Sequence, residues 1–277
     1  MNQAADPERG VELLWGEEPR AGLNLDRIVH AAVAVADAEG LAGLSMRKVA
    51  ERLGFTTMSL YRHVPGRGHL VDLMQDAVMA GLTAPGGADW RARLEACARQ
   101  GWELRKRHPW LAEIRGGRHV PGPNAVAYYD SMLSTVAGTG LTPAETIAAV
   151  GLVGRFVDAE ALVLVEAAEA ERSSGVSAEE WWGSRDTLFA RLDRYPTLTR
   201  LWEEGGYDHP EDPFEFGLAR VLDGIELLIA GRRDESRDET RCQVCGMPVE
   251  QPESGRPREY CSRACRQRAY RRRRTGA

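Results

Sequence analysis

No apolar run in this chain approaches the ~20 residues that a membrane-crossing helix needs, so no membrane partner is expected. The N-terminus carries no basic patch followed by an apolar stretch; no signal peptide is expected, and the expected location is cytoplasmic. Cysteine is nearly missing from the first 240 residues, where Cys97 stands alone. The other four cysteines crowd into the last 36 residues, a cluster that in a reducing compartment favours metal, with free or disulfide-paired thiols as the alternative; Cys97, on one helical face with Leu94, Ala98, Trp102 and Leu104, is expected to be a small core residue. Strand-like alternation is weak throughout. No nucleophile–base pair, phosphate-binding loop or open metal site stands out, and His63, His69, His108, His119 and His209 are scattered. An enzyme is not expected.

What is present is helix-forming sequence. The chain is 43% apolar, enough for a real core, and at 277 residues it is longer than one ordinary domain. An all-α fold is expected. Its most informative stretch is SMRKVAERLGFTTMSLYRHVPGR, Ser45 to Arg67. Ser45 is a good N-cap, because its hydroxyl can accept a first-turn amide. Val49, Ala50 and Leu53 recur at helical spacing, Gly54 suits a sharp turn, and Thr56 or Thr57 can cap a second short helix carrying Leu60 and Tyr61. Val49, Leu53, Phe55 and Leu60 are expected to close the shared core. Two short helices around a glycine turn make a helix-turn-helix. Five Lys/Arg (Arg47, Lys48, Arg52, Arg62, Arg67) against Glu51 give a local +4 in a chain of −5, which suits an anionic partner. The alternative is an ordinary helical corner with a solvated basic face.

IVHAAVAVADAEGLAGLSMRKVAERLGFTTMSLYRHVPGRGHLVDLM, within Leu25 to Met74, resembles the DNA-binding domain of the TetR family of bacterial transcriptional regulators. The likeness rests on a first helix ending in Gly-Leu, an S-x-R-x-V-A-x-x-L-G second helix and an LYRHV recognition helix. It implies DNA contacts at position 47 and at positions 57–63. From residue chemistry, Thr57, Ser59 and Arg62 are candidates for base edges and Met58 for a thymine methyl; an arginine paired to guanine is worth ~1–3 kcal/mol of discrimination. Arg47, Lys48, Tyr61, His63 and Arg67 better suit phosphates.

The expected organisation is a flexible arm over 1–24, a DNA-binding head over 25–83, a helical body over 89–231, a charged linker over 232–240 and a tail over 241–277. The arm carries Glu8, Glu12, Glu17 and Glu18 against Arg9 and Arg20, so no minor-groove contact is expected of it. In the body, Thr142-Pro143-Ala144-Glu145 reads as a capping box opening a long apolar helix, and Asp212-Pro213 opens another, FEFGLARVLDGIELLIAG. AYYDSMLSTVAGTGLTPAETIAAV and FEFGLARVLDGIELLI are similar to the tetracycline-repressor-like C-terminal domain. That likeness implies dimerisation through the two late helices and a cavity for a small-molecule effector, whose lining residues are not legible. A homodimer agrees with two helices that carry more apolar surface than one partner helix covers; packing inside one monomer is the alternative.

In the tail, Cys242-x2-Cys245, fifteen residues, then Cys261-x3-Cys265 matches a structural four-cysteine zinc site. Four thiolates fill a tetrahedral shell and leave no position for a substrate. Residues 241–277 hold ten Arg and three Glu, a net +7, so the other 240 residues carry −12. RQRAYRRRR suits phosphates, or is a solvated basic end. The expected function is a ligand-responsive repressor acting as a homodimer on palindromic double-stranded DNA. The competing reading is an adaptor in which the zinc tail is the main module for nucleic acid or protein.

Overall fold

The computed structural model describes residues 7–16, 23–83, 86–114, 119–238, 241–249 and 258–275. Among the described residues the fold is helical, with no strand beyond one isolated antiparallel bridge between Arg241 and Pro248. The head comprises α1 (Pro7–Trp15), α2 (Leu25–Gly43), α3 (Met46–Leu53), α4 (Thr57–Tyr61) and α5 (Arg67–Met79). The body comprises α6 (Trp90–Arg107), a 3-10 turn (Pro109–Glu113), α7 (Pro123–Val136) and α8 (Pro143–Ser174). It continues through the short α9 (Ala178–Gly183), α10 (Asp186–Phe189), a 3-10 turn (Leu192–Arg194) and α11 (Pro196–Glu203) to α12 (Pro213–Asp238). The tail ends in α13 (Arg263–Thr275). No described helix is long and apolar enough to cross a membrane.

Caps set the helix ends where the residues are right for it. Asn24 Oδ1 accepts the Arg27 amide, Asp89 Oδ1 the Ala92 amide, and Thr142 with Glu145 forms the reciprocal capping box that the sequence predicts. Gly40 (φ +68°) breaks the helical path of α2 near its end, and Gly54 (φ +74°) closes α3.

The head core gathers Ile28, Val29, Ala32 and Ala36 of α2 with Val49 and Ala50 of α3, Leu60 of α4, and Leu70 and Met74 of α5. Three findings depart from the sequence expectation. Residues 7–15 of the expected arm fold as α1 against α5, because VELLW presents Leu14 to the head core and Gly10 permits close approach to Val120. The other arm residues, 1–6 and 17–22, lie outside the described set. The expected linker is helical as far as Asp238, since nothing between Arg232 and that residue breaks a helix and opposite charges recur three apart in the sequence; residues 239–240 are outside the described set. Phe55, expected in the core, is 39% exposed, with the Arg27 guanidinium 5.9 Å from its ring centroid.

Packing also crosses the boundary that the sequence suggests near residue 84. Trp110, from the body, is wholly buried in the head core, and its indole N–H donates to Asp37 Oδ1 at 2.7 Å. His108 Nδ1 lies 2.8 Å from the same carboxylate oxygen, and Glu113 accepts the Leu41 amide beside the Gly40 break. In the other direction, Asp76 of α5 accepts the Ala125 amide and the Asn124 side-chain amide, both at 2.9 Å. Gly122, the N-cap of α7, has no side chain to do this, so a residue of the head caps a helix of the body. Asp72, one turn earlier on α5, lies 2.6 Å from His119 Nδ1.

The body core joins Leu94, Cys97 and Ala98 of α6, Met132 and Val136 of α7, Val150 and Val153 of α8, and Leu218 and Leu222 of α12. Cys97 is fully buried as the sequence predicts, and burial pushes its thiol pKa up. At the far end of the body, hydrogen bonding to the Arg232 guanidinium, and secondarily to the Thr142 backbone, holds the Glu145 carboxyl down at about 2.

Two outcomes follow from these contacts. Asp76→Ala leaves two donors of α7 unanswered and should cost about 1–3 kcal/mol, read as a lower midpoint in thermal and urea unfolding. Because the folded-state value of Glu145 is depressed, its contribution is present above the ordinary carboxylate range and is lost as pH falls through that range towards its folded value. The Tm difference between the parent chain and Glu145→Gln should therefore shrink as pH is lowered from about 6 to about 3.

Candidate functional site

The basic corner of the head is built from α3, the Gly54 turn and α4. Ser45 Oγ accepts the Lys48 amide at 3.2 Å and fixes the start of α3. The Phe55 amide donates back to Ala50 O at 3.0 Å, and Thr56 Oγ1 accepts the Ser59 amide at 3.3 Å to open α4. Leu60 and Val64 are buried and pin α4 to the core. The side chains that remain face outward. Met58 is 71% exposed, Tyr61, Arg62, Arg47 and Lys48 are exposed, and Thr57, Ser59 and His63 are half-buried at the edge.

The nine residues named from sequence do not all arrive in one role. Arg47 makes an exposed ion pair with Glu51 at 2.8 Å, and Lys48 pairs with Glu39 on α2; such pairs are weak and readily exchanged for a phosphate. Arg67 is different. Its guanidinium donates to Leu41 O at 2.6 Å and to Leu44 O at 3.2 Å, so it holds the end of α2 against the start of α5. Its expected phosphate contact competes with that internal role.

A second feature lies under α5 and has no sequence signature. Two adjoining grooves of about 450 and 370 Å³ share Arg105 as a wall. The first is lined by Gln75 and Met79 of α5, Leu111 and Ile114 beside the 3-10 turn, and Asp158 and Leu162 of α8. The second is lined by Trp102, Pro109, Ala161, Leu164 and Val165, with Lys106 and Arg172 at its charged edge. Arg105 pairs with Asp158 and donates to Gly101 O at 3.0 Å, while its Nε and the nearby chain position Gln100, through Oε1, are buried polar atoms with no hydrogen-bond partner. The lining comes from four elements far apart in sequence.

A third feature is the tail. The four sulfur atoms of Cys242, Cys245, Cys261 and Cys265 lie within 4.8 Å of one another, with Sγ–Sγ distances of 3.4, 3.6 and 3.7 Å among the last three. Tetrahedral thiolates about 2.3 Å from a zinc ion sit ~3.8 Å apart, so the set has the size a metal needs. Gly246 (φ +72°) turns the first knuckle, whose Cys242 amide donates to Met247 O at 2.8 Å, and Ser262 Oγ accepts the Cys265 amide at the start of α13. Val249, Tyr260 and Val244 pack around it. The cluster can bind a metal ion.

The outer faces of α8 and α12 leave apolar residues uncovered: Leu152 and Val163, then Phe216, Leu227 (74% exposed) and Leu228. A helix-turn-helix head with a basic outer face, seated on a helical body with a groove and an uncovered apolar side, defines a ligand-responsive DNA-binding regulator.

Comparison with known proteins makes this specific. Residues 28–74 match the bacterial regulatory proteins of the tetR family, and residues 82–229 match the tetracyclin repressor-like C-terminal domain. The chain is 42% identical over 245 residues to the HTH-type transcriptional repressor DrrR1 of Streptomyces coeruleorubidus, covering 84% of this chain and 90% of that protein. It is 32% identical over 221 residues to an HTH-type transcriptional regulator of Saccharopolyspora erythraea, covering 76% and 84%. Among solved structures, Streptomyces coelicolor ActR in complex with (S)-DNPA is similar with a TM-score of 0.59 and 30% identity, over 76% of this chain and all of that one. ActR in complex with actinorhodin gives 0.62 and 28%, over 74% and 96%. The chain belongs to the TetR family of transcriptional regulators. It is a regulator rather than an enzyme, and with that membership come double-stranded DNA as partner, a small-molecule effector and a homodimeric working form. The tail from residue 241 lies beyond both matched spans.

The α3–α4 turn is the feature on which the basic corner depends. Gly54→Ala forces a Cβ into left-handed backbone and should cost about 1–2 kcal/mol. Duplex-DNA affinity, measured at a temperature where the variant is folded, should fall with it, because α4 loses its fixed angle to α3.

Proposed function

We propose that this protein is a repressor that two heads hold on a palindromic operator and that an effector in the Arg105 groove releases. The observation that carries the reading is the position of the groove: Gln75 and Met79, which line it, belong to the same helix whose Leu70 and Met74 pack in the head core. An occupant that pushes on α5 moves the head relative to the body. A dimer presents two heads to half-sites ~34–36 Å apart, so a small change at α5 becomes a mismatch in spacing. The relative named as a repressor and the solved relative with actinorhodin bound support the direction of control and the kind of effector. The part lined by Trp102 suits a ring-containing molecule, and Gln75, Arg105 and Asp158 in the adjoining part offer it polar contacts.

In this reading α4 enters the major groove. Arg62, Thr57 and Ser59 meet base edges, Met58 meets a thymine methyl, and Arg47, Lys48, Tyr61 and His63 meet phosphates. Arg67 contributes by positioning α2 and α5. The exposed apolar faces of α8 and α12 pair with the same faces of a second copy. The four tail cysteines hold one structural zinc ion, which supplies the folding free energy that so small a core, Val249 and Tyr260 among its members, lacks.

Arg62→Ala should weaken operator binding by ~1–3 kcal/mol while changing non-specific duplex binding much less. Equal losses on both duplexes would make Arg62 a phosphate contact. Metal analysis of the purified chain under reducing conditions should give about one zinc per chain, and Cys261→Ser should abolish it; protein without metal would remove the zinc assignment. For the effector, Arg105→Ala should leave operator affinity in place and reduce release by ligands recovered in a binding screen.

A further inference from the structure

The tail stands at the end of the body away from the head. α6 fixes the two ends. At its C-terminal end His108 meets Asp37 of α2; at its N-terminal end Arg91 pairs with Asp223 and Glu226 of α12. Eighteen residues of helix separate these ends by ~27 Å. α12 runs from the head-side half, where Phe214 stacks on Trp102 at 4.4 Å, to the far end, where Arg232 pairs with Glu145 at the start of α8. It then continues to Asp238, a further ~9 Å in the same direction. Only residues 239 and 240 intervene before the tail, a span of at most ~11 Å.

The tail ends in α13, thirteen residues with seven arginines and no acid. Arg263, Arg266 and Arg268 are exposed, and Tyr270, 60% exposed, shares a helical face with Arg263 and Arg266. The opposite side carries buried Cys265, so the metal-holding knuckle orients the helix and leaves the arginine face outward. A rod of ~20 Å with guanidinium groups along it suits the evenly spaced phosphates of a duplex. It lacks the set of aromatic platforms on which single-stranded RNA stacks, and its charge repels basic protein surfaces. An acidic protein is the remaining competitor, and a regulator already held on DNA meets duplex phosphates at far higher local concentration.

From this placement we propose that the tail binds the phosphate backbone of a second DNA duplex, so that the dimer bridges its operator to another segment. The head's own duplex is on the wrong side of the body for α13 to share it. Contacts of this kind carry no sequence preference and weaken with salt.

The test uses full-length protein pre-bound to an immobilised operator duplex, then a labelled duplex lacking the operator. Capture of the labelled duplex at low salt is expected, and the substitutions Arg263→Gln, Arg266→Gln and Arg268→Gln made together should reduce it roughly tenfold or more. Operator affinity and metal content, measured on the same samples, should stay unchanged. No capture by the parent chain, or equal capture by the triple variant, overturns the proposal. Preferential capture of a single-stranded RNA or of an acidic polypeptide in place of the labelled duplex also overturns it. Loss of operator binding in the parent chain would instead strike at the head, a separate failure.

Discussion

The burial of Trp110 in the head is the contact on which the regulatory geometry rests. A regulator that reads two half-sites needs each head held at a defined angle to the dimer interface. A hinge of soft backbone would not supply that. Here the body inserts a tryptophan into the head core, anchors it through the indole N–H to Asp37, and braces the same carboxylate with His108. Removing a buried tryptophan of this kind typically costs ~3–5 kcal/mol, comparable to a large share of a domain's net stability. Asp76 adds a second brace by capping α7 from α5. Head and body are therefore coupled through packed contacts, with α5 shared between the head core and the groove beneath it.

That arrangement explains why a modest groove under α5 has leverage. Well-packed interiors do not deform continuously; they switch between discrete packings. A ligand shifts such an equilibrium only by its difference in affinity for the two packings. Filling space beside Gln75 and Met79 favours the packing with room for the ligand, whichever head angle that packing brings.

The helix-turn-helix was legible because its signals are local. Ser45, Gly54 and Thr56 each act within four residues, and the structure places them as caps and turn where spacing requires. The capping box at Thr142 and the core position of Cys97 were legible for the same reason. The tail cysteines were legible because metal-ligand spacing is itself a local constraint. What was not legible depends on contacts between distant segments. Nothing near Trp110 says that it belongs to the head, nothing near Gly122 says that Asp76 will cap its helix, and nothing near Gln75 says that Asp158 lies across a groove. Arg67 is the instructive case among the DNA candidates: charge and position suggest a phosphate contact, but two backbone carbonyls at the end of α2 claim its guanidinium first.

Charge is distributed to match these roles. The chain as a whole is −5, yet Ser45 to Arg67 is +4 and the last 37 residues are +7 before any metal-bound thiolates are counted. The 240 residues before the tail carry −12 even with the basic head counted, so among them charge favours a duplex at the head. Only a few apolar residues surround the start of the arginine helix, so a metal held by the four cysteines would supply folding free energy that burial in so small a tail does not.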